Sequence, residues 1–114
     1  MATSKTYKRN DTDPPIVITC LDGLSAMNLT NATSAKFLMG TIDAAGVSAV
    51  KVNQPMSFDA DRSTGKVSYA WAPTDLDTAA TYKAEVQVTW NTGKKQTFPS
   101  DSYLEVNVIA DVGD

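Results

Sequence analysis

From Tyr82 to Trp90 the chain alternates without a slip. Tyr82, Ala84, Val86, Val88 and Trp90 fall on one side; Lys83, Glu85, Gln87 and Thr89 fall on the other. A β-strand repeats every two residues, so this segment has one dry face and one wet face. Nearly every large side chain in it is thereby assigned to packing or to solvent, which argues against catalysis there.

The rest of the chain carries the same period in shorter pieces. Strands are expected over 16–21, 34–39, 47–52, 66–72, 81–90, 95–98 and 102–109, with candidate short strands near 6–9 and 27–29. Pro14-Pro15 stops any helix ahead of the first of these, and Pro55 favours an edge position for the strand it follows. Asp22-Gly23 and Asn91-Thr-Gly-Lys94 are turn signals, the second with Gly93 at positive φ. The segments 40–46 and 59–65 read as connections. No segment holds a helical period long enough for a core helix. Seven to eight short strands at this spacing predict an all-β, antiparallel sandwich. The residues before the best strand, Asp77-x-Ala79-x-x-Tyr82, match the corner by which a chain enters a central strand of an immunoglobulin-like sandwich. The inner faces are expected to hold Ile16, Ile18, Phe37, Val67, Tyr69, Trp71, Tyr82, Val86, Val88 and Leu104.

Length and charge narrow the function. At 114 residues the chain is one domain, long enough for one core. Residues 1–13 read as a polar N-terminal arm, 14–110 as the sandwich and 111–114 as a C-terminal tail. With 42% hydrophobic and 20% charged residues, disorder throughout is excluded. No apolar run approaches the ~20 residues of a membrane helix, so no membrane partner is expected. The basic start has no apolar stretch behind it and does not read as a secretory signal. Net charge is −3, and no basic stripe exists to replace counterions, which argues against nucleic acid. The single cysteine, Cys20, cannot form an internal disulfide. It shares a face with Ile16 and Ile18, reads as a small buried hydrophobe, and suits a reducing cytosol.

Chemistry-bearing motifs are few. Without histidine, the Ser–His–Asp and Cys–His nucleophiles and the common zinc sites are excluded. The carboxylate pairs Asp59/Asp61 and Asp75/Asp77 read as turn residues capping nearby backbone rather than as acid–base pairs across a cleft. Asp59-x-Asp61-x-Ser63-x-Gly65 begins like a calcium loop but has Thr64 at position six and Ala70 at position twelve. No metal, cofactor or catalytic residue is therefore expected. Three sequons, at Asn10, Asn28 and Asn31, would matter only on a secretory route. Trp71 and Trp90 read as core, and Tyr103 as an outward aromatic beside Ile109 that would suit a contact surface.

Several segments, in order, resemble a family. They are Asp13-Pro-Pro-Ile-Val-Ile18, Met27-Asn-Leu-Thr-Asn-Ala-Thr-Ser-Ala-Lys-Phe37, Gly65-Lys-Val-Ser-Tyr69, Asp75-Leu-Asp-Thr-Ala-Ala-Thr-Tyr-Lys-Ala-Glu85 and Thr97-Phe-Pro-Ser-Asp-Ser-Tyr-Leu-Glu105. The set is similar to the N-terminal domain of tailed-phage baseplate upper proteins, an immunoglobulin-like virion module. Where that pattern often has Gly in its corner, this chain has Ala80. The resemblance implies a non-enzymatic structural role and supplies no catalytic residues. The expectation is a virion protein made in the host cytoplasm: a capsid decoration protein bound in many copies to the major capsid protein. A tail or baseplate adaptor is the alternative, and an adhesin-like module for a receptor or carbohydrate the further one. Its loop tips at 40–46, 59–65 and 91–94 hold no aromatic residue, which counts against the last. The expected partner contact is the arm, with Tyr7 anchoring by burial on a neighbouring subunit while Lys5, Lys8 and Arg9 seek acidic patches.

Overall fold

The strand that alternates most cleanly is the centre of the larger sheet. The computed structural model describes residues 4–99, 103–110 and 112. In chain order its strands are β1 (Ser4–Lys8), β2 (Ile16–Thr19), β3 (Leu21–Asp22), β4 (Ser25–Ala26), β5 (Ala32–Ile42), β6 (Ser48–Pro55), β7 (Ser57–Phe58), β8 (Lys66–Tyr69), β9 (Ala80–Trp90), β10 (Lys95–Phe98) and β11 (Leu104–Ile109). A 3-10 turn over Arg62–Thr64 precedes β8. The larger sheet runs β1-β11-β9-β5-β6, with β10 also on β9; the smaller runs β2-β8-β7, and β3-β4 is a separate hairpin.

The fold is all-β, antiparallel in every pair but one and without a disulfide, consistent with an immunoglobulin-like sandwich. Register explains why β5 and β9 form its spine. Ala35 stands opposite Val88, Phe37 opposite Val86 and Met39 opposite Ala84, so three inward pairs stack along one face. All six are buried. From the smaller sheet, Ile16, Val67 and Tyr69 meet them, with the Phe37 and Tyr69 rings stacked at 5.3 Å. Of the expected core, only Ile18 is half-buried; Ile16, on the same strand, is fully buried.

Several expectations are corrected. The described residues hold eleven strands rather than seven or eight, since three of them are two residues long. The segment 27–29 is not a strand; the pairing lies one step earlier, at Ser25–Ala26. Gly40 does not start the connection but continues β5, at a bulge where a Cβ would overlap the Ala49 carbonyl oxygen. The candidate strand near 6–9 is present two residues earlier, as Ser4–Lys8, so the segment read as an arm is partly sheet. β1 lies parallel to β11, with Ser4 opposite Glu105 and Lys8 opposite Ile109, so the larger sheet is mixed. Of the segment read as a tail, Val112 alone is described, and it is fully exposed. No helix among the described residues is long and apolar enough to cross a membrane.

Candidate partner-binding surfaces

The four residues expected to meet a partner separate once β1 joins the sheet. Side chains alternate along a strand, so Lys5 and Tyr7 turn toward the interior and Ser4, Thr6 and Lys8 turn out. Tyr7 is buried, its ring edge-on to Trp71 with centroids 5.1 Å apart. It anchors this chain's own core and is not available to a neighbour, which overturns that part of the expected contact. Burial pushes its hydroxyl pKa up, and the Trp71 indole N–H opposes the rise without reaching full hydrogen-bond geometry. Lys5 is half-buried at the rim of a cleft of about 300 Å³ between the sheets, beside Val17, Phe98 and Pro99. Lys8 is exposed next to Ile109, which is itself 43% exposed. Arg9 is half-buried, and its backbone N–H donates to the Ile109 carbonyl at 2.8 Å.

The carboxylates are occupied locally. Asp75 is buried and accepts from the Tyr69 hydroxyl at 2.5 Å and the Ala72 N–H at 2.8 Å. Burial, then the Asp75 carboxylate, pushes the Tyr69 hydroxyl up to about 12. Asp77 pairs with Lys51 at 2.5 Å and accepts from the Thr78 hydroxyl, which holds its pKa below the usual range. Asp61 caps the 3-10 turn by accepting from the Ser63 N–H and hydroxyl at 3.0 and 2.6 Å, and its pKa is lowered for that reason. Asp59 accepts from the Thr64 hydroxyl at 3.1 Å. The Tyr82 hydroxyl donates to the Thr78 carbonyl at 2.9 Å, four residues upstream, which is the bond expected of a tyrosine at a sandwich corner. Ala80 follows that turn as the first residue of β9, without a positive φ.

Two surfaces remain, of which the sequence singled out Tyr103 alone, as an outward aromatic. On the outward face of the larger sheet, Leu38, Gly40, Val50, Lys83, Glu85 and Tyr103 line a groove of about 250 Å³. At Gly40 the floor is backbone, closed by the Ala49 carbonyl, Val50 is 68% exposed, and the Lys83 Nζ sits 5.3 Å from the Tyr103 ring centroid. Elsewhere, the β3–β4 hairpin carries Gly23 at φ 64 in the first central position of its two-residue turn and Leu24, fully exposed, in the second. The Asp22-Gly23 signal located that turn; what it presents was visible only as an apolar residue after a glycine. No protein-family model matches the sequence, and no curated protein matches it.

Proposed function

We propose that this chain is a non-enzymatic structural protein of a phage virion, a capsid decoration protein that binds the major capsid lattice in many copies. The observation that carries this reading is where its reactive and aromatic groups lie. The carboxylates of Asp59 and Asp61 are held within their own loop, Asp75 by Tyr69 and Ala72 and Asp77 by Lys51 and Thr78, and Tyr7, Phe37, Tyr69 and Trp71 build the core. What is left accessible is surface: Lys8 and Ile109 on the β1–β11 side, and Tyr103 and Val50 on the outer sheet face. Such a body works by contact. The ordered resemblance to a baseplate module supports the virion part, and many weak contacts per particle become strong by repetition. No nucleic acid or membrane enters this reading, and the place of action is the virion, after synthesis in the host cytoplasm.

A tail or baseplate adaptor is the second placement, favoured by the same resemblance. A receptor- or carbohydrate-binding module is supported less. Among the described residues the exposed large aromatic is Tyr103, which lies toward a sheet face rather than at a loop tip.

The test is to mix purified, labelled protein with phage heads and tails separated by centrifugation. Saturable cosedimentation with heads, at a simple ratio to the major capsid protein, is the expected result. Binding to tails alone moves the assignment to the adaptor. Binding to neither overturns the virion reading.

A further inference from the structure

We propose that the free sheet edge running from Val17 to Leu21 takes up an extended segment of another protein as an added β-strand, apolar on its inward side and bearing a carboxylate that meets Lys5. The inference gives the partner's chemistry for the contact reading above and rests on that reading for where the segment is found.

The edge follows from the hydrogen bonds at Cys20. Its N–H donates to the Gly65 carbonyl, and its carbonyl accepts from the Met27 N–H, each at 2.8 Å. Cys20 thus directs both backbone groups to one side, the side on which β8 pairs with β2 and β4 with β3. Backbone groups change sides at each residue of an antiparallel strand, so Val17, Thr19 and Leu21 aim theirs the other way. β2 has β8 as its one sheet neighbour and β3 has β4, so these N–H and C=O groups meet no backbone partner among the described residues. The same three residues line the cleft of about 300 Å³ between the sheets.

Other edges of the molecule are guarded, and this one is not. β6 carries Lys51, a bulge against β5 and Pro55; β10 carries Lys95, and β1 carries Lys8. From Ile16 to Leu21 there is no charge, no proline and no bulge in the pairing. Val17 and Leu21 stand about half exposed along it.

The cleft specifies its occupant. Donors and acceptors that recur at every second residue are met by another strand and not by a helix. The facing wall, Phe98, Pro99 and Leu104, is apolar, so it calls for apolar side chains on the added strand. Lys5 is the one charge in the lining; it is half-buried and makes no ion pair among the described residues. Asp22 and Glu105, the carboxylates next in sequence to lining residues, are exposed and are not part of the wall. A carboxylate on the incoming segment therefore supplies the missing countercharge. The slot is walled by the border of the larger sheet, so it suits a single extended chain better than the edge of a second folded sandwich.

The test follows amide hydrogen exchange by nuclear magnetic resonance on the purified full chain. Alone, the amides of Val17, Thr19 and Leu21 should exchange fast while those of Ile18 and Cys20 are protected. The probes are two blocked pentapeptides, Glu-Thr-Val-Thr-Val and Val-Thr-Val-Thr-Glu, which place the carboxylate at either end of one face. At millimolar concentration one of them should slow the three edge amides several-fold. The same peptide with methylated amide nitrogens should not, and lysine in place of its glutamate should weaken the effect. In a Lys5→Glu chain that preference should reverse. If neither glutamate peptide protects the edge, if methylation leaves binding intact, or if the lysine form binds equally well, the proposal fails. Edge amides already protected in the purified chain, together with self-association in sedimentation velocity, would give the edge to a second copy and likewise end it. Where phage heads retain the protein, excess binding peptide should release it; undiminished retention means that the partner sits elsewhere. Binding to neither heads nor tails would remove the virion reading and leave the peptide result standing, so the two fail separately.

Discussion

The Tyr7 and Trp71 rings meet edge to face, with planes at 71°. One lies in the first strand of the larger sheet; the other follows β8 of the smaller. The contact ties the start of the chain to the centre of the core, since Trp71 also packs on Phe37 and Tyr69.

Deleting residues 1–12 should therefore unfold or strongly destabilise the sandwich rather than trim an appendage. Tyr7→Ala should cost about 3 kcal/mol, the range for emptying a buried aromatic site. In a chain of this size that lowers the melting temperature by roughly 10 °C or more. Lys8→Ala, on the wet side of the same strand, should change little. Thermal melts of the three proteins check this, and a Tyr7→Ala chain that melts with the native one would put Tyr7 back in solvent.

Asp75 answers two donors, so its removal should hurt more than the loss of either. Asp75→Ala leaves the Tyr69 hydroxyl and the Ala72 N–H without their acceptor and should cost about 2–4 kcal/mol. Tyr69→Phe removes one donor and should cost nearer 1 kcal/mol. Urea midpoints would rank them, and equal effects would mean that the Ala72 bond contributes nothing.

Alkaline pH should destabilise the protein through its buried protonated groups, Tyr69 and Cys20 above all, with Tyr7 acting in the same direction. The Tyr69 hydroxyl is raised from 10.0 to about 12 and the Cys20 thiol from 9.0 to about 11, the thiol by burial. A raised pKa in the folded state means that folding favours the protonated form. Each contribution is whole below the unfolded value and is lost as pH climbs to the folded one. Stability should thus decline from about pH 9 to about pH 12. Tyrosinate absorbance followed against pH should include late-titrating groups, of which Tyr69→Phe removes one and leaves Tyr7. At neutral pH, Cys20 should react with a thiol reagent only after denaturation.

Two glycines with similar backbone angles should respond differently to alanine. Gly93, at φ 85, has open space around it, and Gly93→Ala should cost about 1–2 kcal/mol for the left-handed angle alone. Gly65, at φ 71, would bring a Cβ within 2.8 Å of both the Cys20 and Met27 carbonyl oxygens. Gly65→Ala should add the displacement of that backbone and cost at least ~2–3 kcal/mol. Equal melting temperatures for the two variants would count against the close packing at Gly65.

What could be read ahead of the structure follows from how each part is held. Alternation locates β9 because one face of it is dry, and the turn at Asn91–Lys94 locates β10 as the return strand, at its observed bounds. β1 gives no such signal: Tyr7 is its one fully buried side chain, and backbone pairing with a strand at the far end of the sequence places it. Gly40 resembled a turn residue, whereas its lack of a side chain serves a close approach of β6. The outward groove was illegible for a related reason. Its lining comes from β5, β6, β9 and the residue before β11, and no local pattern records that they meet.

The parallel pairing of Ser4–Lys8 with the closing strand sets a condition on biosynthesis. Roughly a hundred residues separate the partners, so the first strand leaves the ribosome long before anything exists to receive it. Tyr7 must wait in water, and the aromatic cluster around Trp71 lacks one wall, until β11 has emerged. The last strand is then the latch of the fold. A nascent chain stalled before it is a different physical object from the finished protein, with an open sheet edge and an unfilled core.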